Sequence, residues 1–138
     1  MESMENIYLD REIRIKEYFN AWINNNPSCL TTLFSSNITY TECYGPVYYG
    51  IEQINRWFLD WQLNGEVIVW DIKQFIHQGD TMVVEWYFEC IYENSRDGFD
   101  GISLIKFDDS GKVLSLKEFQ SKAEHYLPYA EHNQPYAD

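Results

Sequence analysis

The side-chain pattern changes period once along the chain, and that change leaves few architectures open. Up to Asn64-Gly65, apolar residues recur mainly at helical spacing; beyond it, four successive segments alternate like strands. Ile15, Tyr18, Phe19, Trp22 and Ile23 fall at i, i+3, i+4, i+7 and i+8, one apolar stripe on a helix. This helix should start between Asn6 and Asp10, with Asp10 a candidate cap. It should end at Asn24-Asn25-Asn26, because Pro27 cannot continue it. Ser28 is a candidate cap for a short second helix, Cys29 to Phe34, with Leu30, Leu33 and Phe34 turned inward.

Asn37 to Tyr44 reads as a strand. Ile38, Tyr40, Glu42 and Tyr44 share one side, and Thr39, Thr41 and Cys43 the other. Gly45-Pro46 breaks it. After Gly50 a third helix places Ile51, Ile54, Trp57, Phe58 and Trp61 on one face, and Asn64-Gly65 stops it. The four strands that follow are Glu66 to Ile76, Met82 to Tyr92, Phe99 to Phe107 and Val113 to Gln120. They are closed in turn by Gln78-Gly79-Asp80, Asn94 to Gly98, and Asp108-Asp109-Ser110-Gly111. Short Gly-containing connections favour antiparallel hairpins. Helices gathered before such a sheet predict an α+β layer fold in the order ααβαββββ, with a curved antiparallel β-sheet wrapped around the N-terminal helices. Strands of about ten residues must twist and curl, giving a cone with a hollow end.

The 138 residues form one expected domain, 1–138, with a core over about 6–126 and a C-terminal tail, 127–138, that frays. Ten Lys and Arg against 22 Asp and Glu set a net charge of −12, which argues against nucleic acid and anionic membrane surfaces as partners. No apolar run approaches the ~18–20 residues that span a bilayer, and Met1 to Asp10 lacks the layout of a signal peptide. Cys29, Cys43 and Cys90 are odd in number and far apart, as reduced thiols in a cytoplasmic protein are.

Several segments together carry a family resemblance. They are the Trp22 helix, Tyr49-Gly50-Ile51-Glu52-Gln53-Ile54, Val84-Glu85-Trp86, Phe99-Asp100-Gly101-Ile102-Ser103, and Phe107-Asp108-Asp109-Ser110-Gly111-Lys112-Val113 leading to Leu116-Lys117-Glu118-Phe119. In order and spacing the chain resembles the SnoaL-like proteins of the nuclear transport factor 2-like (cystatin-like) superfamily, over about Ile13 to Gln120. That superfamily includes ketosteroid isomerases, polyketide cyclases, epoxide hydrolases, dehydratases and pure binding modules, so the fold alone names no chemistry. Laid against the ketosteroid isomerase pattern, Glu42 falls at the general-base carboxylate and Tyr18 at the oxyanion-hole tyrosine. Ser103 falls where that family carries a protonated Asp. Serine is the less acidic donor, so steroid-type isomerisation is not the activity this resemblance implies.

Alternation in the strands gathers the same residues. Val84, Trp86, Phe88, Cys90 and Tyr92 share a side; so do Phe99, Gly101, Ser103, Ile105 and Phe107, and so do Leu114, Leu116, Glu118 and Gln120. Glu42, Ser103, Glu118 and Gln120 can thus converge among aromatics, the layout of a small-molecule site. Each has a plainer reading. Glu42 can reach solvent at a sheet edge. Glu118 can pair with Lys112, Lys117 or Arg56. Tyr18 can be a core tyrosine, and Ser103 can bond a neighbouring strand. A Glu42 buried near Glu118 would raise the pKa of one of the two.

The expectation is therefore a small-molecule-binding protein, possible as a cofactor-independent isomerase, cyclase or dehydratase. In that version Glu42 is the base, and Tyr18 and Ser103 support a developing oxyanion. Trp22, Tyr40, Trp57, Trp86, Phe88, Glu118 and Gln120 hold the substrate. The alternative is a non-catalytic binding or dimeric interaction module whose pocket is filled by its own aromatics. No cofactor is expected, and no metal, because His77, His125 and His132 lack ligand spacing. Val83, Tyr87, Ile91, Ile102, Leu104 and Phe119 form an apolar outer sheet face, mixed with Glu85, Glu89 and Lys106. Its expected cover is a second copy, in a two-fold homodimer.

Overall fold

Ser3, not Asp10, caps the first helix: its hydroxyl accepts from the Asn6 N–H, while Asp10 pairs with Arg14 one turn on. Helix α1 runs Met4–Ile23. It buries Ile15, Tyr18, Phe19, Ala21 and Trp22, and leaves Ile23 exposed at the end of the stripe. Asn25 (φ 50°) then turns the chain. Asn26, not Ser28, caps the single 3-10 turn Pro27–Cys29 by accepting from the Ser28 N–H. Helix α2, Leu30–Leu33, stops one residue short of the expected end at Phe34, which is already extended, so the strand begins three residues before the expected Asn37. Strand β1 is accordingly Phe34–Thr41, followed by a short β2, Val47–Tyr49, which has too few residues to show a period. Gly50 (φ 85°) leads into helix α3, Ile51–Asn64.

The remaining strands are β3 (Gly65–Gln78), β4 (Thr81–Tyr92), β5 (Ser95–Phe107) and β6 (Val113–Ser121). This computed structural model describes residues 3–130, so the end of the expected tail, 131–138, lies outside the described residues. The β4–β5 hairpin is tighter than the glycine at 98 suggests. Tyr92 pairs with Ser95, so Glu93 and Asn94 alone make the turn, both at positive φ, as two-residue hairpin turns require.

The sheet has six strands in the order β2-β1-β6-β5-β4-β3. It is a curved, open sheet, and it is mixed: β1 pairs with β6 in parallel, where an antiparallel sheet was expected. The strands alternate as their sequence implies. Met82, Val84, Trp86, Phe88 and Cys90 of β4, and Phe99, Ser103, Ile105 and Phe107 of β5, face the helices and are buried. Register shifts at Val67/Val69, Ile72/Gln74 and Lys106/Phe107 mark local bulges, which bend strands and add twist. The last shift also turns Leu114 outward, away from the side it was expected to share with Leu116.

Trp86 is the pivot of the interior. Its indole N–H donates to the Ser103 hydroxyl at 2.9 Å, and both residues are sealed from solvent. Its ring lies over Gly101 of β5. A methyl group there would sit 2.4 Å from the Trp86 ring and 2.4 Å from the Phe119 carbonyl oxygen. Gly101→Ala should therefore destabilise the fold by about 1–3 kcal/mol, the usual cost of overpacking. Denaturant unfolding would measure this, and an unchanged midpoint would show that the ring and backbone yield freely.

Candidate functional site

The open end of the cone holds two adjoining spaces. An outer cleft of about 890 Å³ lies between the β1–β2 turn, α3 and the ends of β4 and β5; an inner chamber of about 40 Å³ lies beneath it. Glu42, Tyr44, Trp57 and Trp61 border both. Residues of α1, α3, β3, β4 and β5 wall the chamber with aromatic rings, and Glu118 on β6 is in its lining.

Glu118 is the centre of the arrangement. The Tyr40 hydroxyl donates to its Oε2 at 2.5 Å, and the Cys43 backbone N–H donates to its Oε1 at 3.3 Å. The Tyr18 hydroxyl donates in turn to the Tyr40 oxygen at 2.7 Å. A line Tyr18–Tyr40–Glu118 thus runs from the core to the chamber. No Lys or Arg among the described residues pairs with Glu118, so the ion-pair reading is corrected. Lys112 bonds the Thr31 carbonyl, Lys117 lies over Phe119, and Arg56 pairs with Asp60. Burial pushes the Glu118 carboxyl up to about 7; its hydrogen bonds to Tyr40 and Cys43 oppose that, and the Glu42 charge adds to it. Tyr40 and Tyr18 are pushed well above the usual tyrosine range, first by burial and next by the Glu118 charge, so both remain donors.

Glu42 is 8% exposed and accepts from the Tyr48 hydroxyl at 2.7 Å. It faces the cavity and does not reach solvent at the sheet edge. Burial raises its pKa, and the Tyr48 hydrogen bond works against that. The β1–β2 turn explains its position. The Glu42 N–H donates to the Pro46 carbonyl and the Gly45 N–H donates to the Glu42 carbonyl, so the backbone folds over at this residue and its side chain stays under the turn.

The other expected site residues divide. Trp22, Trp57, Trp86 and Phe88 line the chamber. Tyr40 lines neither space and meets the chamber wall through Glu118 and the Trp57 ring. Tyr18 and Ser103 border neither space: Tyr18 is in the core with its hydroxyl held by Tyr40, and Trp86 occupies the Ser103 hydroxyl. The constellation Glu42, Tyr18 and Ser103 is therefore not assembled as a single site. Gln120 does not join it either. It is opposite Gly101, toward the end of β6, and is exposed; with the Trp86 ring filling the space over Gly101, no room is left inward. Sequence reasoning missed Tyr48, because β2 was not recognised, and Trp70, which alternation on β3 could have found. Cys43 and Cys90 also lie here; burial holds their thiols up at about 12 and about 11, far from reactive thiolates. Among the described residues no group of three or more His, Cys, Asp and Glu is placed to hold a metal ion, and no helix is long and apolar enough to cross a membrane.

Comparison with known proteins agrees with this fold. Among solved structures, a provisionally assigned SnoaL-like polyketide cyclase from Mesorhizobium loti is 20% identical (TM-score 0.67), covering 86% of this chain and 99% of that one. A Catenulispora acidiphila protein with a ketosteroid isomerase-like fold, solved with trimethylamine, is 21% identical (TM-score 0.70), covering 78% and 85%. An LEH-like epoxide hydrolase from M. tuberculosis is 13% identical (TM-score 0.72), covering 82% and 84%. At these identities the likeness is one of fold. No curated protein matches the sequence significantly. The sequence model of the SnoaL-like domain matches residues 15–116, which is most of the chain, and the protein belongs to that SnoaL-like family.

Proposed function

We propose that this SnoaL-like protein binds a small organic molecule in the cleft and moves a proton on it by general acid–base catalysis, with Glu118 as the titrating group. One observation carries the reading: a half-buried carboxyl with no cationic partner among the described residues lines a cavity, and desolvation there pushes it up to about 7. Such a group is charged and uncharged in comparable amounts at the working pH, which suits taking a proton and returning it. Glu42, beyond it in the cleft, is the second carboxylate and orients the ligand with Tyr48. Tyr40 and Tyr18 act through Glu118 as positioning residues. Isomerisation, cyclisation and dehydration without a cofactor all fit one base flanked by fixed donors. The small inner chamber favours a second reading, a binding module whose interior is largely filled by its own rings and which takes ligand in the cleft without turnover.

The two readings separate in heavy water. A panel of enolisable ring ketones is incubated with the protein, and deuterium entry beside the carbonyl is followed by NMR. The catalytic reading expects exchange that Glu118→Gln lowers by about 10²–10⁴-fold, the usual contribution of a positioned acid–base group, and a rate that rises through pH ~7 as the base ionises. Ligand binding with no exchange above background would establish the binding module.

Stability offers a check that needs no substrate. A carboxyl raised in the folded state favours folding below its unfolded pKa, and that advantage is lost as pH rises through about 7. Glu118→Gln has no such proton to lose, so its melting temperature should gain on the wild type by several degrees between pH 5 and pH 8. A constant difference would mean that Glu118 titrates as an ordinary surface carboxyl.

We propose further that two copies pair through the outer sheet face. Leu104 and Phe119 are 41% and 43% exposed there, beside the half-buried Val83, Tyr87, Ile91 and Ile102. The three free cysteines support a reducing, cytoplasmic setting. Equilibrium sedimentation at micromolar concentration should give twice 16.5 kDa, and a 16.5 kDa species alone would refute the dimer.

A further inference from the structure

We infer that the ligand of this site is a compact organic cation, an alkylated ammonium group seated in the inner chamber between aromatic rings and the carboxylates of Glu42 and Glu118. The inference deepens the small-molecule reading above and rests on it.

The chain has five tryptophans, and all five line this one chamber: Trp22, Trp57, Trp61, Trp70 and Trp86. Hydrophobic burial alone does not require that concentration, since Phe, Ile, Leu and Val fill most of the remaining core. The rings meet at steep angles, as the walls of a box do. Trp22 stands at 89° to Trp61 and at 56° to Trp57, and Trp70 at 88° to Trp86. Indole faces carry the strongest negative quadrupole of any side chain, and boxes of such rings are the usual receptors for quaternary ammonium groups.

Charge is sorted in the same sense. The two ionisable acids of the lining are Glu42 and Glu118, and no Lys, Arg or His borders the chamber. The basic groups Arg56, Arg96 and Lys122 stand at the rim of the outer cleft. Arg56 and Lys122 are paired there with Asp60 and Asp97, and Arg96 with Glu89. A buried carboxylate with no counter-ion is costly. A ligand that brings the missing positive charge removes this cost on binding. An anion would meet two carboxylates, and a neutral hydrocarbon would leave both uncompensated.

Size and polarity agree. The chamber's 40 Å³ exceeds by a few-fold the ~10–15 Å³ that one water needs, so it takes a small headgroup and leaves the remainder of the ligand in the 890 Å³ cleft. The buried indole N–H groups of Trp22, Trp57 and Trp70 have no acceptor among the described residues. The net charge of −12 draws cations toward the molecule from a distance.

The test compares choline with 3,3-dimethyl-1-butanol, which has the same shape and hydroxyl but a carbon in place of the charged nitrogen. Binding is read by calorimetry and by tryptophan fluorescence. Choline should bind at least tenfold more tightly than its neutral isostere at pH 8 and should quench the fluorescence. Its own charge does not change with pH, so its affinity should fall several-fold from pH 8 to pH 6 as Glu118 takes up a proton. Tyr18, Tyr40, Tyr44, Tyr48, Cys43 and Cys90 stay neutral over that range. Glu118→Gln, or Glu42→Gln should the first not fold, should bring the affinity for choline down to within about twofold of that for the isostere. Equal affinities for the two compounds would overturn the cation assignment. So would binding of acetophenone without binding of choline, and either result leaves the small-molecule site standing. Failure of choline, the isostere and acetophenone alike at tens of millimolar would overturn both.

Discussion

The parallel pairing of β1 with β6 is the contact on which the site depends. It sets Tyr40 beside Leu116 and Thr41 beside Lys117, so the residues just beyond, Glu42 and Cys43, arrive next to Glu118. These two strands are 78 positions apart at the Tyr40–Glu118 hydrogen bond. The antiparallel run from β3 to β6 could form without β1 and would still be a sheet. It would have no second carboxylate, no tyrosine line and no Cys43 N–H to hold the first oxygen of Glu118. The turn after Thr41 then folds the chain back through β2, and Tyr48 closes over Glu42.

That pairing carries an electrostatic cost. Two carboxylates are drawn into an aromatic interior without a basic partner among the described residues. The structure offsets part of the cost with hydrogen bonds from Tyr40, Cys43 and Tyr48, and the remainder shows as raised pKa values. Groups in this condition are unfavourable for stability and useful for proton transfer or for binding a charge, which is why they concentrate at functional sites. The opposite treatment appears at the far side of the sheet. There Glu89 is held low by Tyr87 and Arg96, and Lys73 meets Asp100 in solvent. The same residue type is made titratable in one place and inert in another by its surroundings.

Much of the architecture was legible because it rests on local periodicity. Alternation on β4 and β5 put Val84, Trp86, Phe88, Cys90 and Tyr92 on one side and Phe99, Gly101, Ser103, Ile105 and Phe107 on one side, and the structure buries all of them but the half-buried Tyr92. The helical stripe of α1 was right at Ile15, Tyr18, Phe19 and Trp22. Its cap was misplaced because Ser3 and Asp10 are both acceptable caps, and only the first has a free N–H to receive. The site was legible in composition and misread in roles. Glu42 and Glu118 were both singled out. Ser103 and Tyr18 were given to catalysis, yet their hydroxyls are engaged by Trp86 and Tyr40, contacts between residues 17 and 22 positions apart that alternation does not report.

The sequence by itself determined the helices, the longer strands, their order and the inward faces of β4 and β5, since these follow from side-chain spacing along a continuous chain. It also settled that five tryptophans had to be accommodated, and it left open whether Glu42 and Glu118 face inward. Only the tertiary structure decided that β6 would lie parallel to β1 and that Gln120 would stay outside. It alone left Glu118 with tyrosine and backbone donors in place of a lysine. The reason is physical: hydrogen bonding and desolvation depend on which atoms meet in space, and strand order, unlike periodicity, is not written into neighbouring residues.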